Sequence, residues 1–154
     1  IRLHRFTQMG LKDTYEIPAH YEKIKALFEK IIEDGAHTNQ ITSLEKLIRS
    51  VTDRGKGAIL FCDVAVLFRK EGAEKISNRL LQSAIKEARI IRPLSHRAFI
   101  MCDIAMKTHA SGDEKTAQEV LDLAIDAATN IRQSTLRDEV FDELGLAIKL
   151  MQGM

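Results

Sequence analysis

Apolar residues return along the chain at helical spacing. Ile24, Leu27, Phe28 and Ile31 mark one such face; Phe61, Val64, Ala65 and Phe68 mark a second, and Leu121, Ala124, Ile125 and Ala128 a third. No segment alternates with period two over a useful length, so strands are not expected. Two kinds of punctuation separate the apolar runs. Gly35, Gly72 and Gly112 each close one run and open the next, as a glycine with positive φ does just past a helix C-terminus. Three linkers, "IRSVTDR" at 48–54, "IRPLSHR" at 91–97 and "IRQSTLR" at 131–137, share the pattern Ile-Arg-x-x-(Ser or Thr)-x-Arg. Their hydroxyl residues Thr52, Ser95 and Thr135 read as helix N-caps, as does Asp113 after Gly112, and Pro18 suits a first helical turn. The punctuation predicts seven helices, at 18–34, 38–51, 53–71, 73–91, 96–110, 113–131 and 135–152. They follow an extended N-terminal segment at 1–17 and make one helical domain over 18–154.

The chain also repeats itself. "FCDVAVLFRKEG" at 61–72 returns as "MCDIAMKTHASG" at 101–112, with Cys-Asp, an aliphatic residue, Ala and Gly in phase. The linkers recur at steps of 43 and 40 residues. Helices that alternate in an A, B, A, B order through short loops imply antiparallel neighbours. Around the turn glycines Gly72 and Gly112, the A-helix positions fall on Phe61, Val64, Ala65 and Phe68 and on Met101, Ile104, Ala105 and Thr108. The B-helix positions fall on Ser77, Leu81 and Ala84 and on Ala117, Leu121 and Ala124. Phe141, Leu144 and Gly145 return to the A pattern, and Ile24, Leu27, Phe28, Ile31, Gly35, Gln40, Leu44 and Leu47 form a less regular first unit. In these positions the chain resembles the tetratricopeptide (TPR) repeat family, at a period longer than the about 34 residues of that family. The resemblance covers 18–154 and implies an all-α, right-handed α-solenoid of antiparallel helix pairs whose A helices line a concave face.

Composition narrows the function more than it identifies one. Hydrophobic residues make up 45% of the 154 positions and aromatic residues only 5%, which suits helices packed on helices. With 23 basic against 22 acidic residues, the net charge of +1 gives no overall pull toward nucleic acid or an anionic membrane. The apolar runs fall short of a membrane span, and "IRLHRFTQMG" has no signal-peptide core, so a cytoplasmic protein is expected. Cys62 and Cys102 then read as reduced core thiols.

On the concave face that the resemblance implies, Ile59, Cys62, Val66 and Arg69 stand in one unit and Phe99, Cys102, Met106 and His109 in the next. They form an apolar strip, with Arg69, Lys70 and His109 placed to orient an acidic group of a partner. The strip is either a binding groove, a surface closed by the N-terminal segment, or core. Arg49, Arg54, Arg92, Arg97, Arg132 and Arg137 occupy matched linker places, as acid-paired residues or as a ridge for phosphates, and no aromatic residues are interleaved to stack bases. Cys62-Asp63 and Cys102-Asp103 mix soft and hard ligands without a histidine at metal-site spacing, so no metal or cofactor is expected, and both aspartates read as solvated or paired with linker arginines. The basic helix at 73–92 and the acidic one at 113–132 read as solvated faces. "RGKG" at 54–57 lacks the spacing of a phosphate-binding loop, and His4, His20, His37, His96 and His109 are scattered. The expectation is a non-catalytic scaffold that binds a protein partner or a second subunit, the homodimer using the last helix, which has no B partner. Anion or nucleic-acid binding through the arginines is the alternative.

Overall fold

The computed structural model describes residues 18–35 and 38–153, so the segment expected at 1–17 lies outside it, as do His4 and His37. Among the described residues the protein is all-α, with seven helices and no strand. They are α1 (Pro18–Asp34), α2 (Thr38–Arg49), α3 (Arg54–Lys70), α4 (Glu74–Ala88), α5 (Leu94–Ala110), α6 (Glu114–Thr129) and α7 (Ser134–Gln152). None is long and apolar enough to cross a membrane.

The repeat seen in the sequence recurs in the backbone down to individual hydrogen bonds. Helices α3 and α5 each run 17 residues. After α3, the Ala73 N–H donates to the Phe68 carbonyl at 2.9 Å and Gly72 to Arg69 at 3.0 Å; forty residues on, Asp113 donates to Thr108 at 3.2 Å and Gly112 to His109 at 3.0 Å. This pair of bonds satisfies the carbonyls left open at a helix end, and it requires a left-handed residue after the C-cap. Gly72 and Gly112 supply it at φ +82° and +96°, and Gly35 does the same after α1 at +87°.

The N-termini depart from expectation. Asp53, not Thr52, caps α3 by accepting from the Lys56 N–H at 2.9 Å. Helices α5 and α7 start at Leu94 and Ser134, with Pro93 and Gln133 rather than Ser95 and Thr135 at the N-cap and no side-chain cap bond. The starts therefore step by forty residues, 54 to 94 to 134, and the backbone bonds Gly57 to Asp53, Arg97 to Pro93 and Arg137 to Gln133 keep that step. The structural counterpart of Arg97 and Arg137 is Gly57; the first "IRxxTxR" linker sits three residues out of phase with the other two. Asp113 caps α6 as expected, accepting from the Thr116 N–H at 3.2 Å.

The chain forms two compact units, one ending at Ala84 and one beginning at Ile85, with the boundary inside α4. In the first, α2 packs on α1 and α3. Ile24, Phe28, Ile31, Leu44 and Ile48 are buried, and the Phe28 and Phe68 rings meet at 4.8 Å between centroids, tilted by 57°. Every residue of α3 from Leu60 to Phe68 is buried, so no face of its middle turns is open to water. Ser77 of α4 donates its hydroxyl to the Ala65 carbonyl at 2.7 Å, a contact that a larger side chain at either position would keep apart. A polar tie joins α2 to α4: Glu45, 6% exposed, accepts from Arg79 at 2.6 Å and 3.3 Å and from the Ser83 hydroxyl at 3.2 Å. Glu45 thus gives Arg79, one basic residue of the 73–92 helix, a structural partner.

In the second unit α5, α6 and α7 pack on one another. The interior is rich in alanine, with Ala98, Ala105, Ala117, Ala124 and Ala128 all inaccessible, interleaved with Ile104, Val120 and Leu144. Small residues at those places let helix backbones approach closely. Replacing Ala105 with Leu forces extra volume into this packing and is expected to destabilise by about 1–3 kcal/mol in urea unfolding. Gly112→Ala has room for its methyl group, since nothing lies within 4 Å of an added Cβ. It still forces a non-glycine residue to φ +96°, and is expected to lose about 1–2 kcal/mol by the same measurement.

Candidate partner-binding surface

The predicted strip divides between the two units. In the first, Cys62 is fully buried and Val66 is 7% exposed, while Ile59 and Arg69 are half-buried and only Lys70 is open to water. In the second, Phe99 is 39% exposed and Met106 and His109 are half-buried, with Cys102 beneath them at 7%. His109 turns its Nδ1 inward, without a hydrogen-bond partner among the described residues.

The second unit adds residues that the sequence reading passed over. Leu146 of α7 stands forty positions after Met106, in the same register of a helix that packs on α5, and it is 56% exposed. Glu143 is close enough to act on the Cys102 thiol across α5 and α7. Burial, then the carboxylates of Asp103 and Glu143, push that thiol up from its usual 9.0 to about 11. Three exposed carboxylates, Asp103, Glu139 and Glu143, stand beside this strip, with Lys107 acting on Asp103. The forty-residue step from Met106 was the signal that would have found Leu146.

A thiol held neutral is a poor nucleophile and a poor metal ligand at neutral pH. Both cysteines are free, and among the described residues no three His, Cys, Asp or Glu side chains gather as a metal ion requires. Asp63, expected to be solvated or paired with a linker arginine, is only 2% exposed, whereas its counterpart Asp103 is open to water.

The linker arginines have a local occupation. Arg97 donates from Nε to the Ile91 carbonyl at 3.0 Å, and Arg137 from Nη1 to the Ile131 carbonyl at 3.2 Å. These bonds answer why a cation persists in the first turn of a helix, where the dipole disfavours it: the guanidinium ties the new helix back to the connection before it. Charge pairing with a neighbouring acidic residue, the expected reason, is not what the geometry shows at these two positions. Arg49 lies 5.5 Å from the centre of the Phe61 ring, and Arg54, Arg92 and Arg132 are exposed. A cleft of about 300 Å³ opens between the last two linkers, walled by Pro93, Leu94, Ile131 and Leu136, with Arg132 among its lining residues.

Comparison with known protein families, with curated proteins and with solved structures found no match.

The raised Cys102 pKa has a consequence for stability. The folded state holds this proton more tightly than the unfolded chain, so its contribution is complete below pH 9 and is lost as pH rises through about 11. Urea midpoints measured across that window should fall more steeply for the native chain than for Cys102→Ala; parallel curves would contradict the assignment.

Proposed function

We propose that the chain is a TPR-like helical repeat, its helix pairs antiparallel, and that it acts as a non-catalytic scaffold for a protein partner through the α5 and α7 face of its second unit. One observation carries the reading: Phe99 and Leu146, large apolar side chains at groove-facing register positions, are exposed at 39% and 56% among exposed carboxylates. Apolar side chains rimmed by charge are the usual makings of a docking surface, because burying them is favourable while the rim selects the partner and its orientation. Arg69, Lys70 and His109 were expected to orient an acidic group of the partner. The carboxylates of Asp103, Glu139 and Glu143 favour the opposite polarity, a partner that presents apolar anchors flanked by lysine or arginine.

The repeat of turns, helix lengths and buried small residues supports the TPR-like reading. The arginine ridge has less to support it, since Arg97 and Arg137 already spend a guanidinium donor on backbone carbonyls.

The test compares proteins retained from native extract by the chain and by Phe99→Asp/Leu146→Asp. Both positions are exposed, so the double variant should keep its thermal midpoint while losing the retained partner by at least about tenfold. An unchanged set of retained proteins would remove this face from consideration.

A further inference from the structure

The last helix leaves open a flank that the repeat elsewhere covers. In α7 the buried residues Val140, Leu144, Ala147 and Met151 recur at steps of four, three and four, and mark the side turned to the core. Beside that stripe, Asp138, Phe141, Gly145 and Ile148 form a second row at helical spacing. Forty residues earlier the same row reads Ala98, Met101, Ala105 and Thr108, and eighty residues earlier Ala58, Phe61, Ala65 and Phe68; none of these eight is more than 1% exposed. In α3 this row meets α4, as the bond from Ser77 to the Ala65 carbonyl shows. In α7, Phe141 is 37% exposed, and a Cβ added at Gly145 would meet nothing within 4 Å.

We propose that a second copy of the chain covers this row, with α7 packed antiparallel on α7 about a two-fold axis near Gly145. Charge selects this occupant. Asp142 follows Asp138 and Glu139 at spacings of four and three, so its neighbours on its own helix repel it. Lys149 has Gly145 and Leu146 at the same spacings before it and Gln152 and Gly153 after it, so its own helix offers it no carboxylate. Asp142 lies three residues before Gly145 and Lys149 four after. Reversing one helix over the other brings Asp142 of each copy to Lys149 of the second copy, and Phe141 to Ile148. Both contacts form twice, as a self-complementary interface requires, and the contact closes at two chains. Glycine at the crossing permits the backbones to approach where Ala65 and Ala105 stand in the earlier helices. Leu146 lies about 140° around the helix from Phe141. Asp142 and Lys149 stand between the two, about 40° and 60° from Leu146, so the charged contacts of the dimer border the Phe99 and Leu146 face while its apolar contact at Phe141 lies away from it.

Sedimentation of the 154-residue chain over a concentration series tests the contact. The native chain should show a monomer–dimer equilibrium that weakens with salt. Asp142→Lys and Lys149→Asp, both at exposed positions, should each weaken the dimer by about tenfold or more, and the double variant should recover most of that loss. Unchanged thermal midpoints of the monomers separate loss of contact from loss of fold. A native chain that stays monomeric throughout overturns the proposal. So does a double variant no better than the single ones, or a dimer indifferent to Phe141→Asp.

Discussion

Glycine in the left-handed region at Gly72 and Gly112 is the constraint from which the periodic part of the molecule follows. Each lets the chain leave a helix of 17 residues with its final carbonyls bonded, and each delivers the next helix at a fixed phase. The phase decides which side chains meet. It brings Ser77 against the carbonyl of Ala65, and it is the reason that a small residue recurs forty positions on at Ala105. At the other end of the pair, the bonds from Arg97 to Ile91 and from Arg137 to Ile131 tie the incoming helix to its linker. A fixed exit and a fixed entry together make the period uniform.

Much of this was legible in the sequence where backbone chemistry leaves little choice. A glycine between two helical patterns has few other uses, and the three turn glycines stand where they were expected, at positive φ. Asp113 was legible as a cap for the same reason. The other helix starts were not, because a hydroxyl near a linker competes with any residue whose carbonyl can begin the helix, and Pro93 and Gln133 do so without a side-chain bond. The shared linker pattern also misled at its first occurrence: Arg54 matches Arg97 in sequence while Gly57 matches it in the backbone. A four-position pattern can recur by composition; a ladder of hydrogen bonds cannot slip by three residues without losing its turn.

Of the candidate surface, the register was legible and the exposure was not. Cys62 and Cys102, or Val66 and Met106, hold equivalent places on their helices, yet Val66 is buried and Met106 half-buried. Periodicity reports the side of a helix on which a residue stands, and burial depends on what covers that side. Asp63 and Asp103 make the same point with carboxylates, one 2% exposed and the other in water. The register does place Glu139 and Asp142 beside the strip; what it hides is Glu143, which reaches Cys102 from a helix forty residues along the chain.

The terminal helix departs from the repeat in one chemical respect that packing alone does not require. Where α3 and α5 place Ala58 and Ala98, α7 has Asp138; where they place Cys62 and Cys102, it has Asp142. Those earlier positions are 0%, 0%, 0% and 7% exposed, so a carboxylate there would lose its hydration with nothing in return. Helix α7 tolerates the change because these positions remain in water, while Phe141 keeps the apolar character of Phe61 and Met101 beside them. The row of α7 thus keeps its large apolar residue and exchanges its small neutral neighbours for anions. Whatever covers it must bring a cation to Asp142 at the same time as an apolar surface to Phe141, because supplying only the second would strand the first.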